Sequence, residues 1–334
     1  MSELTEFQLS NPPTDGISHL VFSPNPNTRY LLASSWDTNV YFYDVLQNKL
    51  VSSHQHTAPV LTCAFTDENH VLSGGLSRQL IHSDLSRQHD EVIGSHDDAI
   101  KCINYSPALR CFITGSWDKT IRVSDFRQSR GVGTYIQSEK VITMDLAGEV
   151  LVVGTAQKNV LIWDLRNMSS VQQRRISTLK YQTRCLRCFP NEKGYVMSST
   201  EGRVAVEYLS GTTSEEHDIK DRYAFKCHRV KEGGKEYIYP VYSISFHQQH
   251  NTFATGGGDG LVNVWDRFNK KRLCQFAQYP ADISSLSFHP DGTQIAIASS
   301  CVYPELGKDY PKDTIYVRKV GEMETKPKKP PLHK

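Results

Sequence analysis

The chain has 334 residues, with 38 Lys/Arg against 36 Asp/Glu, a formal charge of +2, and 38% apolar residues. A near-neutral balance excludes a generally polycationic nucleic-acid binder, and no apolar run approaches the roughly 20 residues that span a bilayer. The start, Met1-Ser-Glu-Leu-Thr-Glu6, has neither the basic residues nor the apolar stretch of a secretory signal, so the eight cysteines read as reduced thiols of the cytosol or nucleus.

In chain order, Thr5-Glu-Phe-Gln-Leu9 reads as a lone strand. Seven alignable units then follow at 17–45, 58–85, 98–127, 139–166, 182–209, 239–268 and 281–320. Each opens on an alternating strand such as Val60-Leu-Thr-Cys-Ala-Phe65. A second strand follows and finishes in small residues, as in Phe112-Ile-Thr-Gly-Ser116. A polar hairpin leads into a third alternating strand, for example Val160-Leu-Ile-Trp-Asp164. Period-two alternation punctuated by Gly, Asp and Asn is the strand–hairpin signal, and helical periodicity is nowhere sustained. The expected class is all-β.

Closing Asp residues fall at 44, 84, 125 and 164, at intervals of 40, 41 and 39. That period, with four strands per unit and a closing Trp-Asp, marks WD40 propeller blades. The expectation is one seven-bladed propeller over 1–321. An open edge strand would invite pairing with other chains, so Thr5–Leu9 is expected to complete the last blade and close the ring. Residues 301–312 form an insertion in the seventh hairpin, and 210–221 and 230–238 form long polar connections. The tail 322–334, with Lys326-Pro-Lys-Lys329, is too rich in Lys and Pro to pack and is expected to be disordered, with a nuclear import signal as one reading of it.

Chemical motifs are weak. His56 and His96 precede first strands, where a propeller His is expected to bond a hairpin Asp and a strand Ser or Thr; Asp118 is the partner expected for His96. Cys185-Leu-Arg-Cys188 has no second ligand pair at zinc spacing, since Cys227-His228 come 39 residues after Cys188. Gly256-Gly-Gly-Asp-Gly260 lacks the Lys-Ser/Thr of a phosphate loop and opens a strand. No nucleophile elbow or clustered acid pair is present, so neither catalysis nor a cofactor is expected.

The departures from the repeat carry the functional signal. Ile17, Val60, Ile100, Val141, Val241 and Ile283 align at the start of the first strands, and alignment places Arg184 at that position in the fifth unit. A buried unpaired guanidinium is very costly, so Arg184 is expected either to meet an anionic partner at the rim or to staple two blades by an internal ion pair. Between Arg166 and Lys231 there are thirteen Lys/Arg and seven Asp/Glu, a net of +6 against −4 for the rest of the chain. Such a basic sector suits phosphate or clustered carboxylates. Trp36 and Trp117 sit in second-to-third-strand hairpins where other units carry Leu76, Ala156, Thr200 and Gly258, and an exposed rim Trp is a candidate peptide anchor.

Particular runs carry a closer resemblance. They include Ser34-Ser-Trp-Asp-Thr38, Leu179-Lys-Tyr-Gln-Thr-Arg184, Glu201-Gly-Arg-Val-Ala-Val-Glu-Tyr208 and Tyr223-Ala-Phe-Lys-Cys-His-Arg229. Over nearly its whole length the chain resembles the Bub-family WD40 proteins of the spindle assembly checkpoint. A sister family, the WD40 mRNA-export factor of the nuclear pore, shares several of these runs. The resemblance implies a non-catalytic adaptor found in the nucleus and, in mitosis, at the kinetochore. It implies two partners: a short Glu-containing motif in a checkpoint kinase and its kinase-related paralogue, and phosphothreonine in Met-Glu-Leu-Thr repeats of the outer-kinetochore scaffold. By matching positions, Arg203 and Lys226 would contact the phosphothreonine, and Trp36, Trp117, Arg184 and Arg229 the kinase motif. No membrane and no direct nucleic-acid contact is expected. Two departures from the family pattern, Val-Ser-Asp125 and Leu-Ser-Arg78, bear on blade packing. The Trp163-Asp-Leu-Arg166 and Asp125-Phe-Arg127 runs leave a cullin-ligase substrate receptor as a further alternative.

Overall fold

A computed structural model describes residues 5–127, 133–209, 222–305 and 307–327. Seven four-stranded antiparallel sheets stand around a central channel, at 17–55, 60–95, 100–136, 141–176, 183–226, 241–275 and 283–319, the last joined by the N-terminal strand. The architecture is the seven-bladed propeller. Glu6–Gln8 pairs with Thr314–Lys319, Phe7 opposite Val317, so the chain's two ends share the seventh blade. Leu9 is buried with Ile315 and Val317 between the seventh and first blades. No helix among the described residues is long and apolar enough to cross a membrane.

The local sequence explains how the blades pack. Second strands end in small residues because the next blade's first strand presses on them: a Cβ at Gly115 would lie 2.7 Å from Val141, and one at Gly256 2.3 Å from Ile283. Innermost strands are also laced side chain to backbone. Thr143 accepts from Leu186 N, Ser243 from Leu286 N and Ser285 from Leu20 N, each at 2.9 Å, repeating one strand position from blade to blade. Ser245 and Ser287 do the same lower down, accepting from Phe288 N and Phe22 N. Hydroxyls thus satisfy backbone donors that would otherwise be buried and unpaired at the channel wall.

Histidine networks fix the hairpins. His96 bonds Asp118 at 2.8 Å and Thr114 at 2.7 Å, as the spacing led us to expect. A fuller network, not anticipated from sequence, joins His228 to Asp259 and Thr255 at 2.8 Å each, with Trp265 donating to Thr255 at 2.9 Å. In the second blade His56 reaches Ser73 at 2.8 Å, but Ser77 stands where the third blade has Asp118. Both Ser77 Oγ and His56 Nδ1 are left buried without a partner, which is the structural consequence of the Leu-Ser-Arg78 departure.

Three connections differ from or extend the sequence reading. Residues 230–238 are not an irregular polar loop: Arg229–Glu232 and Lys235–Ile238 form a two-stranded ribbon. The connection 210–221 lies outside the described residues. The tail is ordered further than its composition suggests, since Glu322–Thr325 form a helical turn and Thr325 is 1% exposed. Thr252 donates to the Thr325 carbonyl at 2.7 Å, and Arg318 donates to Glu324 at 2.8 Å. Disorder was expected from Lys and Pro content, yet the docking residues are a threonine and a glutamate that precede most of that Lys-Pro run. Residues 328–334 lie outside the described residues.

Candidate functional site

First strands begin, second strands end and third strands begin on one rim of the ring. Trp36, Trp117, Arg184, Arg203 and Lys226 therefore share it: Trp36 and Trp117 follow second strands, Arg184 opens a first strand, and Arg203 opens a third strand.

The strand register corrects the alignment at Arg184. Thr183 pairs with Ser199 as Ile17 does with Ser35 and Ile100 with Ser116, and Thr183 is 1% exposed. The β-branched ring is therefore completed by Thr183. A bulge follows this position in all seven blades, between Ile17/His19, Val60/Thr62, Ile100/Cys102, Val141/Thr143, Thr183/Cys185, Val241/Ser243 and Ile283/Ser285. The extra residue of each bulge lies outside the ladder. Arg184 is that residue in the fifth blade, and its equivalents are Ser18, Leu61, Lys101, Ile142, Tyr242 and Ser284. Sequence alternation cannot reveal a bulge, so the arginine is displaced by one position.

Aromatic rings hold Arg184 at the channel mouth. Its Nη1 donates to Tyr303 Oη at 2.8 Å, and the guanidinium lies 5.1 Å from the Tyr242 ring and 5.6 Å from the Tyr303 ring. Among the described residues no carboxylate lies within 4 Å of it, so the internal ion-pair staple is not formed there. Tyr303 comes from the 301–312 insertion, whose part in the site the sequence did not signal.

On the outer half of the fifth blade, Arg203 faces Lys226 in register between the third and fourth strands. Directly opposed residues place their side chains on the same face, with Cβ atoms about 5 Å apart. Lys226 is exposed and, among the described residues, no acid lies within 4 Å of its ammonium. Arg203 keeps 31% of its side chain exposed, but its Nε lies 3.3 Å from Glu201 Oε1. One acid therefore partly neutralises one of the two cations.

Arg229 is placed differently. It is 10% exposed in its side chain and is held by the Glu201 carbonyl at 2.8 Å, the Gly202 carbonyl at 3.4 Å and Glu236 at 3.3 Å. It braces the hairpin under Arg203 and Lys226. The two tryptophans also differ. Trp36 is 46% exposed, whereas Trp117 is half-buried with the Lys140 ammonium 5.7 Å over its ring.

The other motifs are absorbed by the fold. Cys185 and Cys188 pack into different apolar clusters on opposite sides of their strand, and burial raises the Cys188 thiol well above its usual range. His228 is engaged by Asp259 and Thr255. Arg166 and Arg127, from the Trp-Asp-x-Arg-like runs, lie on the opposite rim, each folded back on its own Asp164 or Asp125.

The WD domain, G-beta repeat pattern matches residues 5–44, 88–125 and 225–266. The chain is 49% identical over 326 residues to the mitotic checkpoint protein BUB3.1 of Arabidopsis thaliana, covering 96% of this chain and 94% of that one. It is 39% identical to the mitotic checkpoint protein bub3 of Dictyostelium discoideum, covering 94% of each. A Schizosaccharomyces pombe poly(A)+ RNA export protein is 34% identical over 302 residues, 88% of this chain and 84% of that one. At these identities and over this length, the chain belongs to the BUB3 family of mitotic checkpoint WD-repeat proteins.

Proposed function

We propose that this protein is a non-catalytic adaptor of the spindle assembly checkpoint that reads phosphothreonine in Met-Glu-Leu-Thr repeats through Arg203 and Lys226. The observation that carries the reading is the cross-strand pairing of those two cations on one rim of a rigid ring. A phosphothreonine brings about −1.5 to −2 charge and three acceptor oxygens, enough for one to three charge-assisted hydrogen bonds. Strand pairing already holds the two backbone positions side by side, so only side-chain ordering opposes those bonds. Arg229, held by Glu201 and Glu236, acts by bracing the pair and not by touching the peptide.

A second peptide would cross the same rim. Trp36 offers an exposed aromatic anchor, and Arg184, seated among tyrosine rings, offers a guanidinium for a glutamate of a checkpoint kinase or its kinase-related paralogue. Holding both peptides would bring the kinase to the kinetochore scaffold in the mitotic nucleus, with phosphorylation turning the contact on. The test is titration of phosphorylated and plain Met-Glu-Leu-Thr peptides into wild type and Arg203→Ala. The phosphate-dependent gain should vanish in the variant; a gain of wild-type size in Arg203→Ala would refute the assignment.

A further inference from the structure

The channel lined by the innermost strands has a volume of about 320 Å³, room for on the order of ten waters. Its wall carries three cations: Lys101 at the bulge position of the third blade, Arg184 at the same position of the fifth, and Arg187 one turn of the pleat deeper. Among the described residues none of the three has a carboxylate within 4 Å. Arg187 donates to the Leu186 carbonyl at 3.2 Å and approaches His19 Nε2 at 3.3 Å. His19 is neutral, its pKa lowered to about 3 by burial and then by Arg187 and Lys101, so Nε2 accepts from the guanidinium. Among the described residues the one acid of the lining is Asp145, whose oxygens already accept from Asn104 Nδ2 at 3.2 Å and Cys188 N at 2.7 Å. Burial raises the pKa of Asp145, against the pull of Arg187 and of its hydrogen bonds.

Three cations against one carboxyl make the wall electropositive. Burial first, and then the charges of Arg184 and Arg187, pull the Lys101 pKa down. Among the described residues three buried polar atoms of the lining, His19 Nδ1, Asn104 Oδ1 and Ser284 Oγ, have no hydrogen-bond partner; the Ser284 hydroxyl can donate to an anion, whereas the Asn104 oxygen only accepts. Ser284 occupies the bulge position of the seventh blade, on the ring that carries Lys101 and Arg184. Like charges held in a partly desolvated cavity repel, and a multivalent anion between them converts that repulsion into attraction.

We propose that the upper channel is a binding site for a compact phosphate-class anion, of phosphate to pyrophosphate size, held by Lys101, Arg184 and Arg187. The site is distinct from the Arg203–Lys226 pair, which lies on the outer half of the fifth blade, and it requires no peptide. Three cations around one polar cavity suit several anionic oxygens close together, and pyrophosphate presents more of them than phosphate does.

The test uses the full chain without any peptide. Chloride, inorganic phosphate and pyrophosphate are titrated at matched ionic strength and followed by calorimetry and thermal unfolding. Pyrophosphate should bind at one saturable site and raise Tm, phosphate more weakly, and chloride not at all. Lys101→Met and Ser284→Asp should each weaken pyrophosphate about tenfold or more, the second by supplying an internal counter-charge. Lys226→Met should bind it as wild type does. If Lys101→Met fails to fold, as judged by circular dichroism, Ser284→Asp alone decides. No saturable binding, an unweakened Ser284→Asp, or loss of binding in Lys226→Met would each overturn the proposal.

Discussion

Arg203 stands directly across from Lys226 between the third and outer strands of the fifth blade, with Glu201 3.3 Å from the guanidinium. The pair is thus two cations and a nearby carboxylate, and the carboxylate opposes any anion that approaches. The backbone carbonyl of Glu201, not only its side chain, holds Arg229, so the hairpin survives loss of the carboxylate. Glu201→Gln should therefore tighten phosphopeptide binding about two- to fivefold, in proportion to the weak worth of a partly exposed ion pair. Weaker binding in Glu201→Gln, measured by calorimetry, would mean that the carboxylate positions Arg203 instead of competing for it.

The rim residues assigned to the kinase-derived motif are not equivalent. Trp36 is largely exposed while Trp117 lies under Lys140, so Trp36→Ala should cost more in peptide affinity, about 2 kcal/mol or roughly thirtyfold. Arg184→Lys should not reach wild-type affinity, because an ammonium cannot keep the guanidinium's contacts with the Tyr242 and Tyr303 rings and its hydrogen bond to Tyr303 together. Fluorescence anisotropy of a labelled Glu-containing peptide measures both. Full recovery with lysine would show that charge alone matters at this position.

Acid should weaken the fold before its carboxylates titrate. His56 and His247 are buried, and burial lowers each to a pKa of about 4. An unfolded histidine takes up its proton near pH 6.5, so between pH 6.5 and 4 the unfolded chain binds more protons than the native one. The stability these neutral rings represent is complete above pH 6.5 and falls with pH, each contributing up to about 1.4 kcal/mol per pH unit in that window. Urea unfolding at pH 6.5 and pH 5 should show the loss, and His56→Gln should reduce its slope. A slope unchanged in His56→Gln would show that this ring does not govern it.

Closure of the ring depends on the N-terminal strand. Leu9 packs against Ile315 and Val317, its backbone N–H donates to the Ile315 carbonyl at 2.9 Å, and Lys319 N donates to Thr5. Leu9→Ala should cost about 2–5 kcal/mol of unfolding free energy, as for other buried leucines. Removing residues 1–9 should uncover the edge of Thr314–Lys319 and promote association, visible by light scattering. A monodisperse truncated protein with wild-type Tm would contradict the clasp.

Much of the fold is legible in the sequence alone. The recurring Trp-Asp and its spacing fixed the propeller, and the open edge problem pointed to Thr5–Leu9 as the closing strand. The rim tryptophans and the basic fifth blade were visible as departures from a repeat. What escaped depends on geometry that alternation does not encode. The bulge in each first strand moved Arg184 by one position and hid Lys101, which stands on the same ring two blades away. Arg229 looked like its basic neighbours, yet backbone carbonyls from the preceding hairpin enclose it. His228 follows a cysteine, and its partner Asp259 lies in a glycine run that resembles a phosphate loop, so neither residue announces the network they form. Thr325, an unremarkable residue in a polar tail, is anchored by Thr252, 73 positions earlier.

The most direct measurement is the ratio of dissociation constants for a plain and a phosphorylated Met-Glu-Leu-Thr peptide binding to the wild-type chain. One to three charge-assisted bonds to phosphate predict a preference for the phosphorylated form of about tenfold or more. Equal dissociation constants for the two peptides would contradict the account.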